Sequence, residues 1–243
     1  MKEQQTNGLA GDAFVAIWHD LAPEGLESFY QWHDREHMPE RLAIPGFRRG
    51  RRYLRVEGDG QEYFNLYEVD TFQVLVGGAY LARLNAPTPW TKQAVPYFRN
   101  VTRGLCRVAG SQGIGQGGMI ATLRFAAAEG RAESLQRYLL DEAFPALLGC
   151  GGVLGVHLGF TDAAGSGVKT VEQQARNNTT EVPSWVLLID GISADRLRTA
   201  CEKILTTASL AARGALAERI LGIYRLEAMR LKPAASLSET SAG

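Results

Sequence analysis

A weak internal duplication constrains this chain more than any other feature. Sliding the sequence by 106 residues places Gly11 on Gly117, Glu36 on Glu142, Pro39 on Pro145, Leu42 on Leu148 and Gly46 on Gly152. The same shift places Phe14–Trp18 on Ile120–Arg124. Further on the offset lengthens to 122, where Glu62–Glu68 matches Ser184–Asp190, and at the end of each half it is 118, where Cys106–Val108 matches Tyr224–Leu226. The 16 added residues fall in one polar stretch, 161–182. A chain that repeats itself in this way builds one structural unit twice.

Each half reads as strand, helix, strand, strand, helix, strand. In the first half the expected strands are 13–19, 46–56, 61–69 and 101–108, with helices over 23–42 and 71–84. In the second they are 118–125, 152–160, 184–190 and 221–229, with helices over 129–148 and 193–212. This order is the β-α-β-β-α-β unit of ferredoxin-like folds. The expected class is therefore α+β, with two tandem ferredoxin-like repeats, 13–109 and 118–230, forming a dimeric α/β barrel within one chain. Helices cover one face of each sheet, so the free faces should meet, and a cavity between the sheets is the expected ligand site. Segment 110–117 reads as a Gly-rich linker. Its literal G-x-G-x-x-G, Gly113–Gly118, precedes a strand and not a helix, which argues against a dinucleotide site. The insertion, with Lys169, Thr170, Glu172 and Arg176, reads as a flap over one barrel mouth. Residues 1–12 and 231–243 read as mobile tails.

Composition narrows the function classes. Lys and Arg number 26, Asp and Glu 26, so the formal net charge is zero, and 45% of residues are hydrophobic. That supports a packed core and argues against a nucleic-acid binder. The only basic cluster is Arg48, Arg49, Arg51, Arg52 and Arg55. No apolar run reaches the roughly 18 residues of a membrane span. Three cysteines without a CxxC suggest buried thiols in a reducing cytoplasm. The expected partner is a small-molecule substrate, with no nucleic acid, no membrane, and homodimerisation left open.

The helix expected over 23–42 carries the chemistry. Leu26, Phe29, Tyr30, His33, Glu36 and His37 form one stripe at helical spacing, apolar at its start and titratable at its end. The matching second-half positions Leu139, Glu142 and Ala143 keep the pattern without the histidines. The fold does not need them, so they are candidates for function. His33-Asp-Arg-Glu36-His37 has the literal H-x-x-E-H spacing of a zinc site, but Pro39 follows at once and no third ligand is evident, so no metal is expected. A structural hydrogen-bond network is a second reading. Acid–base chemistry is the favoured one, because histidine transfers protons near neutral pH. Alternation along 63–68 separates Tyr63, Asn65 and Tyr67 from Phe64, Leu66 and Glu68. The first set is expected to face the ligand cavity and the second the helices. Trp18 and His19 end the first strand on a mixed face and could reach the site. Arg41, one turn beyond His37, could pair an anionic substrate, or Glu40 and Asp34 at the surface.

His37, Pro39 and the turn Ile44-Pro45-Gly46-Phe47 resemble the EthD-like branch of the dimeric α/β-barrel superfamily. The motif covers 13–108; over 118–230 the likeness is architectural. By that resemblance the chain is expected to be a cofactor-independent enzyme of lyase, dehydratase or isomerase type. His37 would be the catalytic acid or base, oriented by His33 or Glu36. Trp18, His19, Tyr63, Asn65, Tyr67 and Arg41 would bind a small oxygenated substrate. The alternatives are a haem-binding barrel, with His37 or His157 as axial ligand, and a non-catalytic ligand-binding or stress-response barrel.

Overall fold

The computed structural model describes residues 8–113, 115–175 and 180–233. Eight strands form one closed antiparallel barrel: β1 (Ala13–Leu21), β2 (Phe47–Gly58), β3 (Tyr63–Val69), β4 (Phe98–Gly113), β5 (Met119–Phe125), β6 (Val153–Thr161), β7 (Trp185–Gly191) and β8 (Ile220–Leu231). The order around the barrel is β1-β3-β2-β8-β5-β7-β6-β4. Each repeat supplies four adjacent strands, and the seams are β2 with β8 and β4 with β6. The sheets thus close edge to edge within one chain, which removes the exposed strand edges of an isolated repeat.

Helices coat the outside. The first repeat carries α1 (Leu26–Trp32), α2 (Met38–Ala43), α3 (Phe72–Val76), α4 (Gly78–Asn85) and α5 (Pro89–Ala94). The second carries α6 (Ala132–Tyr138), α7 (Phe144–Leu148), α8 (Ala163–Ser166), α9 (Val171–Ala175), α10 (Ala194–Ile204) and α11 (Thr207–Ala212). The Pro45-Gly46 turn into β2 needs its glycine: Gly46 has φ +87°, and an added Cβ would lie 2.4 Å from Val74 Cγ2.

Between α1 and α2 the helix runs through a π turn, His33–His37, and Leu139–Ala143 does the same between α6 and α7. Met38 N–H bonds to the His33 carbonyl, five residues back, and Phe144 N–H to that of Leu139. The cause is the proline that follows in both repeats. Pro39 and Pro145 have no N–H, and their rings crowd the carbonyl four residues back, so the preceding turn widens. The π turn belongs to the fold; the histidines on it belong to the first repeat alone.

Several expectations are corrected here. The barrel interior is filled by side chains from both repeats, among them Phe14, Trp18, Tyr53, Phe64, Leu66, Val186, Leu188 and Tyr224. The middle of the barrel is packed with these side chains, each almost fully buried. Phe64, Leu66 and Glu68 point into the barrel, while Tyr63 and Tyr67 join the clusters under the helices. The assignment of faces in β3 is thus inverted. Every residue of β3 is buried, so alternation could not tell one face from the other.

β4 runs through Gly113, so Gly110–Gly113 pair with β6 and are not free linker. Gly8 to Asp12 are held rather than loose: the Gly8 carbonyl accepts from Arg49, and Ala10 N–H donates to Glu68. At the other end Lys232 N–H bonds to the Arg48 carbonyl, so part of the segment 231–243 is docked. The tail expectations for 1–7 and 234–243 lie outside the described residues.

β4 outruns β6 and leaves an unpaired stretch before Cys106, and the insertion covers that edge. Leu105 N–H donates to Ser166 Oγ at 3.0 Å, and Arg103 N–H to the Glu181 carbonyl at 2.8 Å. The same segment brings α9 against α4 and α5 of the first repeat, where Val171 N–H bonds to Asn85 Oδ1 at 3.2 Å.

Candidate functional site in the first repeat

The titratable stripe lies between the π turn and the outer face of the first sheet. Phe29, Trp32, His33 and His37 are buried there, whereas Leu26 is exposed. Gly25 takes the inward place at the helix start, against the Tyr97 ring, and this turns Leu26 outward. Two small cavities adjoin under the helix. One is lined by Ile17, Trp32, His33, His37, Asn65, Tyr67 and Phe98; the other by Ile17, His37, Arg41, Tyr67, Tyr80, Leu84, Arg103, Thr170, Glu172 and Gln173. Their volumes are about 20 and 10 Å³, room for about one water each. His37 and Tyr67 belong to the wall they share.

His33 is tied at both ring nitrogens. Arg52 Nη1 lies 3.0 Å from Nδ1, and Tyr67 Oη 3.1 Å from Nε2. A guanidinium only donates, so Nδ1 is the acceptor, the ring proton sits on Nε2, and Tyr67 receives it. The Tyr67 hydroxyl proton is then left to donate into the cavities. Burial pushes the Tyr67 phenol well above its ordinary range, so it stays protonated. Arg52 is itself braced by Asp34 and by Glu227, the latter at 3.2 Å. His33 therefore sets the donor direction of Tyr67 and has no nitrogen available as a base. His37 stacks on Trp32 with ring centroids 4.3 Å apart and lies 5.5 Å from the His33 ring.

Burial pulls His33 down to about 4 against an ordinary 6.5, with Arg52 adding to the effect and Asp34 opposing it. Between these values the unfolded chain binds a proton that the folded chain excludes. Stability should therefore rise as pH increases from about 4 to 6.5, by about 3 kcal/mol from this group, and level off above. His33→Leu installs the residue the second repeat uses at this place and should flatten that slope. Denaturant melts at pH 4.5, 5.5 and 7 measure it.

The remaining candidates divide. Asn65 Nδ2 lies 2.9 Å from His19 Nε2, while Asn65 Oδ1 makes no hydrogen bond among the described residues and belongs to a residue that borders the first cavity. His19 is fully buried, stacked on Tyr63, and supports Asn65 from behind rather than standing at a rim. Tyr63 Oη meets Tyr30 Oη at 3.4 Å, and Tyr30 donates to Glu227 at 3.0 Å, so Tyr63 braces the end of the layer. Trp18 points into the barrel, bonded to Thr122 at 3.1 Å, and does not reach His37.

Glu36 turns away as well. Its Oε1 accepts from Thr88 and Thr91, and Thr91 accepts from Trp32 Nε1 at 3.2 Å, so Glu36 clamps α5 to the helix and does not orient His37. Glu36→Ala should cost about 1–3 kcal/mol of stability in a denaturant melt. The H-x-x-E-H residues do not converge on a point, and no group of three metal-ligating side chains occurs among the described residues. Arg41 is buried and paired with Glu172 of the insertion, with the expected partner Glu40 at 4.0 Å, while Asp34 pairs with Arg52 instead.

Sequence reading missed Arg52, Trp32, Tyr80 and Arg103. Arg52 was visible only as part of the basic cluster. That cluster is no surface patch: Arg48 pairs with Asp70, Arg49 with Glu68, Arg51 with Glu68 and Asp190, and Arg52 with Asp34 and Glu227.

The polar set is confined to one repeat. Position by position, His33, His37, Arg41, Asn65 and Tyr67 correspond to Leu139, Ala143, Leu147, Leu187 and Ile189, all buried in the apolar layer of the second repeat. One chain thus holds the same layer twice, once as plain core and once as a polar site.

The fold is that of the dimeric α/β barrels, here completed by a single chain. No known family model matches the chain, and no curated protein matches its sequence. Solved structures do match it. An anthrone oxidase-like protein aligns over 93% of this chain and 96% of its own at 13% identity, with TM-score 0.57. A protein from Lactobacillus acidophilus named a monooxygenase aligns over 93% and 98% at 8% identity, TM-score 0.57. A protein named a chlorite dismutase aligns over 89% and 95% at 10% identity, TM-score 0.55. The lyase or isomerase expectation is corrected by these similarities, since the similar structures carry names of oxidation and oxygen handling. No helix among the described residues is long and apolar enough to cross a membrane.

Proposed function

We propose that the chain is a small-molecule enzyme of the oxygen-handling, monooxygenase type, of the EthD-like branch, reacting under the π turn of the first repeat. The observation that carries this is the shared wall of the two cavities. There His37 stands beside a protonated Tyr67 whose direction is set by His33 and Arg52, and the second repeat keeps apolar residues at the same places. His37 takes a proton from an activated C–H or O–H of the substrate, and Tyr67 donates to the oxygen on which the charge gathers. The electron-rich anion then reduces dioxygen. For an activated methylene, one methylene and one dioxygen give one ketone carbonyl and one water. Both C–H bonds break and a C=O bond forms in their place. Four electrons leave the carbon, one oxygen atom stays on it, the other departs as water with the two hydrogens, and no outside reductant is needed. Names of similar folds support the reaction class, and the aromatic walls support a flat, partly apolar substrate.

Uptake of one dioxygen per molecule from a panel of anthrone-type and hydroquinone-type compounds, with label from oxygen-18 gas in the product, tests the reading. Binding without oxygen uptake across that panel would leave a non-catalytic ligand-binding barrel instead.

The residues do not fit a haem. The second-repeat layer has Leu139 and Ala143 at the histidine positions. His157 is fully buried inside the barrel between Ser111, at 2.6 Å, and Asp190, at 3.4 Å. The Trp32 ring already packs against His37, with centroids 4.3 Å apart. Haemin added to the purified protein is expected to keep the spectrum of free haemin, without a shifted and sharpened Soret band.

A further inference from the structure

We propose that Arg41 and Arg103 form an anion subsite for a carboxylate on the substrate, and that Glu172 of the insertion fills this subsite until substrate displaces it. The inference deepens the proposed function, since the subsite shares His37 and Tyr67 with the reacting cavity.

The first argument is charge. Arg41 and Arg103 are 3% and 5% exposed, and both line the second cavity. A guanidinium stays charged, and burying it is costly unless it is paired. Among the described residues Glu172 is the one carboxylate lining the cavity, and it bonds Arg41 Nη2. The described side-chain hydrogen bond of Arg103 goes to a neutral partner, Tyr80 Oη, at 3.1 Å. Arg41 Nη1 is buried and makes no hydrogen bond among the described residues; Glu40 Oε2 stands 4.0 Å away. Glu172 thus answers Arg41, the described side-chain partner of Arg103 is neutral, and Arg41 Nη1 remains as a donor for a second oxyanion.

The second argument is the internal repeat. Arg41 corresponds to Leu147. Arg103 lies opposite Ile17 in β1, as Leu221 lies opposite Leu123 in β5, so Arg103 corresponds to Leu221. The fold accepts leucine at both places, so packing does not call for arginine at either.

The third argument is where Glu172 comes from. It sits on the stretch that the first repeat lacks, delivered by the second repeat onto the site of the first. A carboxylate carried on an added segment into a buried arginine pair has the position a substrate carboxylate would take. A molecule with a flat apolar body and one carboxylate would place its body by Trp32 and Phe98, its anion on the arginines, and its reacting carbon between them at His37.

Chemical rescue tests this without turnover. Glu172→Ala should lower the thermal midpoint, and millimolar benzoate should restore it while benzamide does not. By titration calorimetry the variant should bind benzoate at least tenfold more tightly than the native protein, because the internal competitor is gone. Arg41→Leu with Arg103→Leu uses residues the second repeat tolerates and should abolish the preference for benzoate. If Glu172→Ala does not fold, Glu172→Gln serves for the same comparison. Equal response to benzoate and benzamide, or no gain in benzoate affinity in either Glu172 variant, overturns the subsite. Rescue by benzoate together with absence of oxygen uptake would instead overturn the monooxygenase reading and leave the subsite standing.

Discussion

Replacing His37 with alanine should cut oxygen uptake by roughly 100-fold or more, the usual worth of a positioned acid or base, while the protein stays folded. The second repeat supplies the control within the same molecule. Ala143 occupies the matching position on an identical π turn, 1% exposed, and the turn forms without an imidazole. The stability change should stay within about 1–2 kcal/mol, an ordinary value for one substitution. His33→Leu should cost less activity than His37→Ala, because His33 acts through Tyr67. Tyr67→Phe should behave like His33→Leu and more strongly, since it removes the donor outright. Unchanged oxygen uptake by His37→Ala, or a protein that unfolds, would remove His37 from the chemistry.

The largest expected stability effect lies inside the barrel, away from the site. Glu68 is 1% exposed and pairs with Arg49 and with Arg51, the latter at 3.0 Å. Arg51 also pairs with Asp190 at 2.9 Å, and Asp190 with His157 at 3.4 Å. The duplication explains the arrangement. Arg51 corresponds to His157 and Glu68 to Asp190, so each repeat brings one basic side chain and one carboxylate, and Arg51 bridges the two pairs. Burial raises Asp190, but Arg51 and His157 outweigh it and hold the carboxyl below its usual range. Glu68→Gln strips the carboxylate from Arg49 and from Arg51, the latter 1% exposed and left with Asp190 alone. It should cost about 3–5 kcal/mol, the penalty for breaking a buried pair by removing one partner. Urea denaturation at pH 7 measures it, and a loss near zero would mean that water reaches the barrel core. Asp190 adds a second signature. A carboxylate held low stabilises the fold above its unfolded value, so its contribution should fade as pH drops below about 4.

The amino-acid order alone determined the architecture. Two copies of one hydrophobic pattern, with the same Glu, Pro and Gly at matching places, specify two β-α-β-β-α-β units, because helix and strand periods are local properties. It also set the histidines of the first helix apart from the shared pattern, since the second copy omits them. Which face of β3 meets the helices was not legible, because a strand buried on both sides carries no polar alternation to read. The π turn rotated the helix face by a fraction of a turn, so Glu36 left the stripe that α-helical spacing assigns it, and Gly25 at the helix start turned Leu26 outward. Arg52, Arg103 and Glu172 come from distant stretches of the chain and meet the histidines only when the barrel closes and the insertion crosses to the other repeat. Local pattern reports each residue's own neighbourhood. The pairing of Tyr67 with His33, and of Arg41 with a glutamate 131 residues away, depends on long-range register, and that was decided only by tertiary packing.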